Sequence, residues 1–342
     1  MAIQGSEIKW YRSRNVNDGP TNGGTMSALE IPDGVKNNVW PDVPQAERNA
    51  GSVKYRKNFI KIANDDDLAL IAPRLFIETG TPGDDRVVLL AGTQTDTQAE
   101  ANAYTRCHGV GILDSPIIAD DATLQVVVEP GNDANGDAIF QDGDLIRISD
   151  QTSLDAPAGN SEFLRLAASD AVTWNGNLAT LTLADGNRPA CNYAAGVTKV
   201  ASVLEGADIA ASLTGWQLSS QAGSYDRTGF PPTLDHIGAI EQTWTLTFTS
   251  ATQFICVGDD LGIVGSGAIQ NDFSAINPDF GKPWFTITGG SPPWGGTFAS
   301  GDTITFVTHP AALPFWEKRT VPAGANSHSG NQVIVAISGE SA

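Results

Sequence analysis

The 342-residue chain is poor in the residues on which most recognisable chemistry depends. Its three cysteines, Cys107, Cys191 and Cys256, are far apart, odd in number and without a CxxC pair. That excludes a disulfide framework and a thiolate zinc site, and reads as three buried thiols acting as small hydrophobes. The four histidines, His108, His236, His309 and His328, are dispersed, and none falls in an HExxH or similar ligand spacing. There is no GxSxG elbow, no P-loop and no GxGxxG opening a helix; GIVGSG at 262–267 has no lysine after it and reads as a loop. No apolar run is long enough to span a bilayer. The opening MAIQGSEIKWYRSR lacks the basic-then-apolar layout of a secretory signal, so cytoplasmic synthesis without a membrane partner is expected.

Positive charge is also scarce. Against 39 acidic side chains stand 20 Lys and Arg, a balance of −19, which repels polyphosphate and argues against direct nucleic-acid binding. The deficit is uneven. Residues 1–61 hold nine basic and six acidic side chains, whereas 62–342 carry a balance of −22. A basic head on an acidic body suits head-to-tail contact between copies, and a solvated basic face accounts for it equally well.

Glycine (36) and proline (19) are plentiful, and with Asn, Asp, Ser and Thr they separate short apolar stretches, as in strands joined by turns. Strands are expected near 75–78, 86–91, 123–128, 145–149, 163–167, 178–183, 243–249, 285–288, 303–307 and 333–337. In TWTLTFT, Trp244, Leu246 and Phe248 share one face and threonines the other, the pattern of a half-buried strand. Asp66–Ala72 reads as a turn or two of helix stopped by Pro73, with 64–67 as its acidic cap. The fold class expected is all-β, in two or three β-sandwich or barrel-like modules. Residues 1–52, broken by prolines at 20, 32, 41 and 44, read as an extended N-terminal arm anchored by Trp10, Tyr11 and Trp40; 53–190 and 191–342 read as two β domains. Lysines in the strand after the arm would guard an edge.

Phe140-Gln-Asp-Gly-Asp-Leu-Ile-Arg-Ile148 returns as Phe298-Ala-Ser-Gly-Asp-Thr-Ile-Thr-Phe306. A duplicated module and a shared β-turn signal each explain the echo.

No catalytic residue and no cofactor is expected. Carboxylates abound, but a glycosidase pair is defined by its separation in a cleft, which sequence does not carry. Trp174, Trp216, Trp284, Trp294 and Trp316 suit either sugar stacking or core packing. The nearest approach to a metal site is Asp133, Asn135, Asp137 and Asp144, oxygen ligands spaced like those of a calcium loop; Ala138 in place of Gly and no closing Glu count against it, and an Asn/Asp/Gly turn explains the same letters.

Assembly is the role these features suggest. The residues expected to meet a neighbouring copy are Trp10, Tyr11, Arg12, Arg14, Trp40, Lys54, Arg56, Lys57 and Lys61, with Phe315 and Trp316 as a second patch, although that second segment suits a strand within its own module at least as well. A strap folded wholly back on its own chain would contradict assembly through the arm.

The segments IKWYRSRNVNDGPTNGGTMS, VKNNVWPDVPQAERNAGSVKYRKNFIKIANDDD, TPGDDRVVLLAGTQTDTQ, IFQDGDLIRISD and THPAALPFWEKRTVPAGANSHSGNQVIVAISGES resemble a structural protein of contractile-tailed bacteriophages, and within that class the ripcord-type proteins between neck and sheath. The resemblance implies a virion component of the tail or neck, assembled in the host cytoplasm as a ring of its own copies against other tail or neck proteins. It brings no catalytic residues. A capsid decoration or fibre protein, and a secreted adhesin or carbohydrate-binding module, are the alternatives.

Overall fold

The computed structural model describes residues 2–342. The chain is all-β, with strands in several antiparallel sheets and only two short helices, α1 (Gln45–Ala50) and α2 (Gln98–Ala101). Among the described residues no helix is long and apolar enough to cross a membrane.

At the centre lies a five-stranded sheet of β1 (Ile8–Asn15), β2 (Gly23–Glu30), β3 (Ser52–Ile62), β5 (Arg86–Ala91) and β23 (Ala312–Val321), in the order β2-β1-β3-β23-β5. Ten residue pairs join β3 to β23, from Lys61 opposite Ala312 to Ser52 opposite Val321. A three-stranded sheet of β4 (Leu70–Thr79), β13 (Leu204–Glu205) and β24 (Ile334–Ser341) packs against one face. Between them Ile60, Leu89 and Phe315 meet Phe76, Ile77 and Ala336.

The other face of the central sheet contributes Val88, Leu90 and Trp316 to the interior of a second module. Its strands are β6 (Val110–Leu113), β7 (Thr123–Val128), β8 (Leu145–Ser149), β9 (Ser161–Arg165), β10 (Val172–Asn175), β11 (Leu178–Thr182) and β12 (Lys199–Ser202), ordered β10-β11-β7-β6-β12-β8-β9. Just past β9 and β11, Leu166 bridges Leu183, with Ala167 N to Thr182 O at 3.0 Å and Ala184 N to Arg165 O at 2.9 Å. That bridge closes the sheet into a small barrel filled by Val126, Ile146, Ile148, Leu164 and Leu181, as a barrel of this size requires.

A third module is inserted between β13 and β23. It comprises β14 (Ser212–Leu218), β15 (Gly223–Tyr225), β16 (Gln242–Phe248), β17 (Gln253–Gly258), β18 (Gly262–Ala268), β19 (Phe273–Asn277), β20 (Lys282–Ile287), β21 (Trp294–Gly296) and β22 (Thr303–His309). Five of these form a sheet in the order β14-β22-β16-β17-β18, and β15-β21 and β19-β20 form two small pairs. The core is aromatic: Trp244, Phe248, Phe254, Phe285, Trp294, Phe298 and Phe306 are buried together.

Three expectations are corrected. Residues 1–52 are not an extended arm, because β1 pairs with β3 and Trp10 packs edge-on to Phe315 at 5.8 Å. The prolines fall between elements, Pro20 in a turn, Pro32 and Pro41 in irregular backbone and Pro44 as the cap residue before α1, rather than interrupting strands. A division at 190/191 does not match the pairing, since β12 belongs to the barrel and β23 and β24 return to the first two sheets. The helix over 66–72 is absent. Asn64 ties a turn through its side chain to Leu68 N (2.8 Å) and Leu68 O (2.9 Å), and Asp67 (φ +53°) and Ala72 (φ +46°) are left-handed, which stops helix propagation.

The sequence echo survives as local geometry. In both copies the Asp carboxylate accepts a backbone N–H three residues earlier, Asp144 from Gln141 (2.7 Å) and Asp302 from Ala299 (2.8 Å), and the preceding glycine has positive φ. The repeated letters thus encode the same turn, closed by an aspartate that bonds back to the backbone three residues before it.

Candidate functional site

Most of the residues expected at an interface between copies gather around β3 and β23 of their own chain, and Arg14 alone of them is exposed. Lys54, Arg56, Lys57 and Lys61 lie on β3, a central strand rather than an edge. Arg56, Lys57 and Lys61 are buried, as are Phe315 and Trp316 on the facing strand. The buried members of this set, Tyr11, Arg56, Lys57, Lys61, Phe315 and Trp316, are thus used within the chain's own fold.

Charge burial on this scale demands compensation. Trp40, from the loop between β2 and α1, lies between two guanidinium groups, Arg319 at 4.6 Å and Arg56 at 5.0 Å from its ring. Its indole N–H donates to Glu317 Oε2 (2.7 Å), and Asn58 Nδ2 donates to Glu317 Oε1 (2.8 Å). Burial outweighs these partners and pushes the Glu317 carboxyl up to about 7. Arg56 pairs with Asp18 at 2.8 Å, and Lys54 with Asp18 (2.9 Å) and with Glu47.

On the barrel side, Lys57 pairs with Asp96 at 2.7 Å, both essentially inaccessible. Asp96 also accepts from Trp316 Nε1 and Tyr104 Oη, each at 2.8 Å. Burial alone would raise its carboxyl, but the Lys57 and Trp316 hydrogen bonds hold it below the ordinary value.

Lys61 points towards the inserted module. Its Nζ donates to Ile237 O at 2.5 Å and sits 3.9 Å from the Phe280 ring centre. Burial drives its ammonium down to about 7, opposed by the charge of Asp235. Tyr11 packs edge-on to the same Phe280 at 5.8 Å, Asp67 accepts from His236 N at 2.7 Å, and Lys282 pairs with Asp65 at 2.7 Å. Of the remaining strap residues, Arg12 binds Asn38 of its own chain, and Arg14, exposed, pairs with Asp260 of the inserted module at 2.9 Å. These contacts seat the third module on the central sheet.

The calcium-like loop is spent on cations the protein already owns. Asp137 pairs with Lys318 (2.5 Å) and Arg86 (3.5 Å), and Asp144 with Arg106 (2.6 Å), while Asp133 bonds Asn135 N in the turn. Among the described residues no group of three His, Cys, Asp or Glu side chains is placed to hold a metal. Trp284, Trp294 and Trp316 are core residues, and Trp174 and Trp216 are half-buried, Trp174 stacked on Phe140. Beside that pair lies a surface hollow of about 470 Å³ whose one acid, Asp142, already accepts from Asp170 N and Ala171 N. A second hollow of about 320 Å³ is lined by Ile3, Ile8, Leu70, Leu154 and Ile337.

Asp96 was invisible to sequence reasoning, since only the fold brings its polar loop to β3. Glu317 was legible only as part of a patch; its alternation between Trp316 and Lys318 gave no sign of burial. Chemically, the network joins distant segments of chain; Glu317, enclosed by Trp40 and Asn58, has no open space beside it for a reacting molecule. No family model, no curated protein and no solved structure matches this chain.

Proposed function

We propose that this protein is a non-enzymatic structural subunit of a contractile-tailed bacteriophage virion, assembling as a ring in the tail or neck region and joining neighbouring components. One observation carries the reading. The segments that resemble such proteins, although scattered over the chain, converge in space: they supply all five strands of the central sheet together with β8 and β24. The resemblance thus centres on one sheet, with β8 in the barrel and β24 in the three-stranded sheet beside it, and the charged residues of that sheet are used to lock it rather than to line a cleft. A load-transmitting subunit needs such a rigid centre, because buried networks of paired charges and hydrogen bonds fix a single packing.

The test is labelling. Antibody-gold against the purified chain, imaged on intact phage particles, is expected to mark a band at the neck or upper tail. Label confined to the capsid surface or to fibres, or absent from particles, would refute the placement.

A further inference from the structure

The five strands β14, β16, β17, β18 and β22 contain no Asp, Glu, Lys or Arg, in a chain whose net charge is −19. One face of their sheet is the buried aromatic core. The other is a plain of small neutral side chains. Register places Ile263, Val257, Thr245, Thr305 and Gln217 in a row across all five strands, with Thr247 and Thr303 paired beside it. None of these side chains belongs to a packed cluster of the molecule, and Ile263 is 72% exposed, the most exposed large apolar residue described. Outward sheet faces of soluble proteins ordinarily carry Lys, Glu or Arg.

The sheet edge has the same character. β18 pairs with β17 on one side and is the last strand of its sheet. It carries neither lysine nor proline, two usual protections against strand addition, although its ladder with β17 has a register shift at Cys256/Val257.

We infer that this neutral face, with the β18 edge, is where a second copy of this chain docks. Charge selects the occupant. Two copies at −19 repel one another, so a close contact between them requires a surface free of carboxylates, and this face meets that condition. A basic partner would instead be drawn to carboxylates, and those that flank these strands, Glu241, Asp259, Asp260 and Asp302, lie beyond the strand ends, Glu241 already bonded to His309 and Asp260 to Arg14. Threonine and β-branched side chains on one sheet face present equal relief to their own kind, as a self-complementary interface needs. The inference rests on the proposed function only in taking the chain to work as an assembly of copies.

The experiment is light scattering with size-exclusion chromatography on the full chain over a wide concentration range. Wild type is expected to associate. Thr245→Glu and Thr245→Lys, at the centre of the row, are each expected to weaken association at least about tenfold, because either sign of charge is buried without a partner. Ile263→Glu, at an exposed edge position, does the same without touching the core. Thr123→Glu and Thr123→Lys, on the exposed outer wall of the barrel, leave association unchanged, and circular dichroism verifies that each variant is folded. A wild type that stays monomeric throughout, face variants that associate normally, or barrel variants equally impaired would each overturn the inference. Gold label missing from particles while the face variants still dissociate would refute the virion placement alone.

Discussion

Trp40 and Glu317, 277 positions apart, are joined by one hydrogen bond of 2.7 Å, and that bond fastens the loop after β2 to the far end of the chain. Around it, the two arginines face the indole rather than the carboxylate. Glu317 is thus a buried acid whose named donors are both neutral.

Removing the donor exposes what it does. Trp40→Phe keeps a ring between the guanidinium groups and loses the hydrogen bond, with an expected cost of about 1–2 kcal/mol. Trp40→Ala also loses the packing and costs about 2–4 kcal/mol. Urea denaturation measures both. Equal losses in the two variants would mean that only the hydrogen bond matters.

The pH dependence has a sign fixed by burial. The Glu317 carboxyl is raised to about 7 in the folded state from 4.5, so the folded chain holds a proton that the unfolded chain has released, and stability falls as pH rises from about 4.5 to 7. The Lys61 ammonium is lowered to about 7 from 10.5, so stability rises from about pH 7 to 10.5 as the folded chain sheds its proton first. His108, held down to about 3 by burial, adds a rise between about 3 and 6.5 that partly masks the first limb. Differences between variants separate them: Glu317→Gln removes the fall, and Lys61→Met removes the rise above pH 7. Stability profiles parallel to wild type would contradict these assignments.

Thiol chemistry distinguishes the three cysteines. Burial pushes the Cys107 thiol up to about 11 and the Cys256 thiol up to about 12, whereas Cys191 is only half-buried. One thiol per chain is expected to react with a disulfide reagent under native conditions, and three in denaturant. Fast native labelling of all three would show that the two cores open readily.

Calcium is expected to have no effect. Asp137 is neutralised by Lys318 and Arg86, so millimolar calcium should leave the melting temperature where it is. Lys318→Met, which leaves the buried Asp137 carboxylate with the longer Arg86 contact alone, should destabilise by about 1–3 kcal/mol. A calcium-dependent rise in the wild-type melting temperature would reopen the site.

The sequence made the strands legible wherever alternation alone decides burial. In β16, Trp244, Leu246 and Phe248 point into the core as their spacing requires, and β5, β7 and β8 begin and end where expected. It failed where a tertiary neighbour decides. Residues 262–267 read as a glycine loop but form β18: a Cβ at Gly267 would lie 2.5 Å from Phe254, so the glycine makes room for the ring. β1 and β2 were hidden for a related reason. The polar, basic letters of β1 and the glycine-led β2 look solvated; β1 finds its ladder on β3, about forty residues downstream, β2 finds its own on β1, and Phe315, about three hundred residues away on β23, covers Trp10. A lysine in sequence carries no mark of whether a carboxylate will be waiting for it, and so Lys57 was assigned to the outside.

Hydrogen exchange of the purified chain, read at single-residue resolution along β1, tests most directly the claim that the N-terminal segment belongs to its own central sheet. The backbone amides of Lys9 and Tyr11, which stand opposite Lys61 and Phe59 in the hydrogen-bonded pairs of β1 with β3, are expected to be as protected in the monomer as those joining β3 to β23. Rapid exchange along β1 in the monomer, slowing only when copies assemble, would contradict the account and restore the free arm.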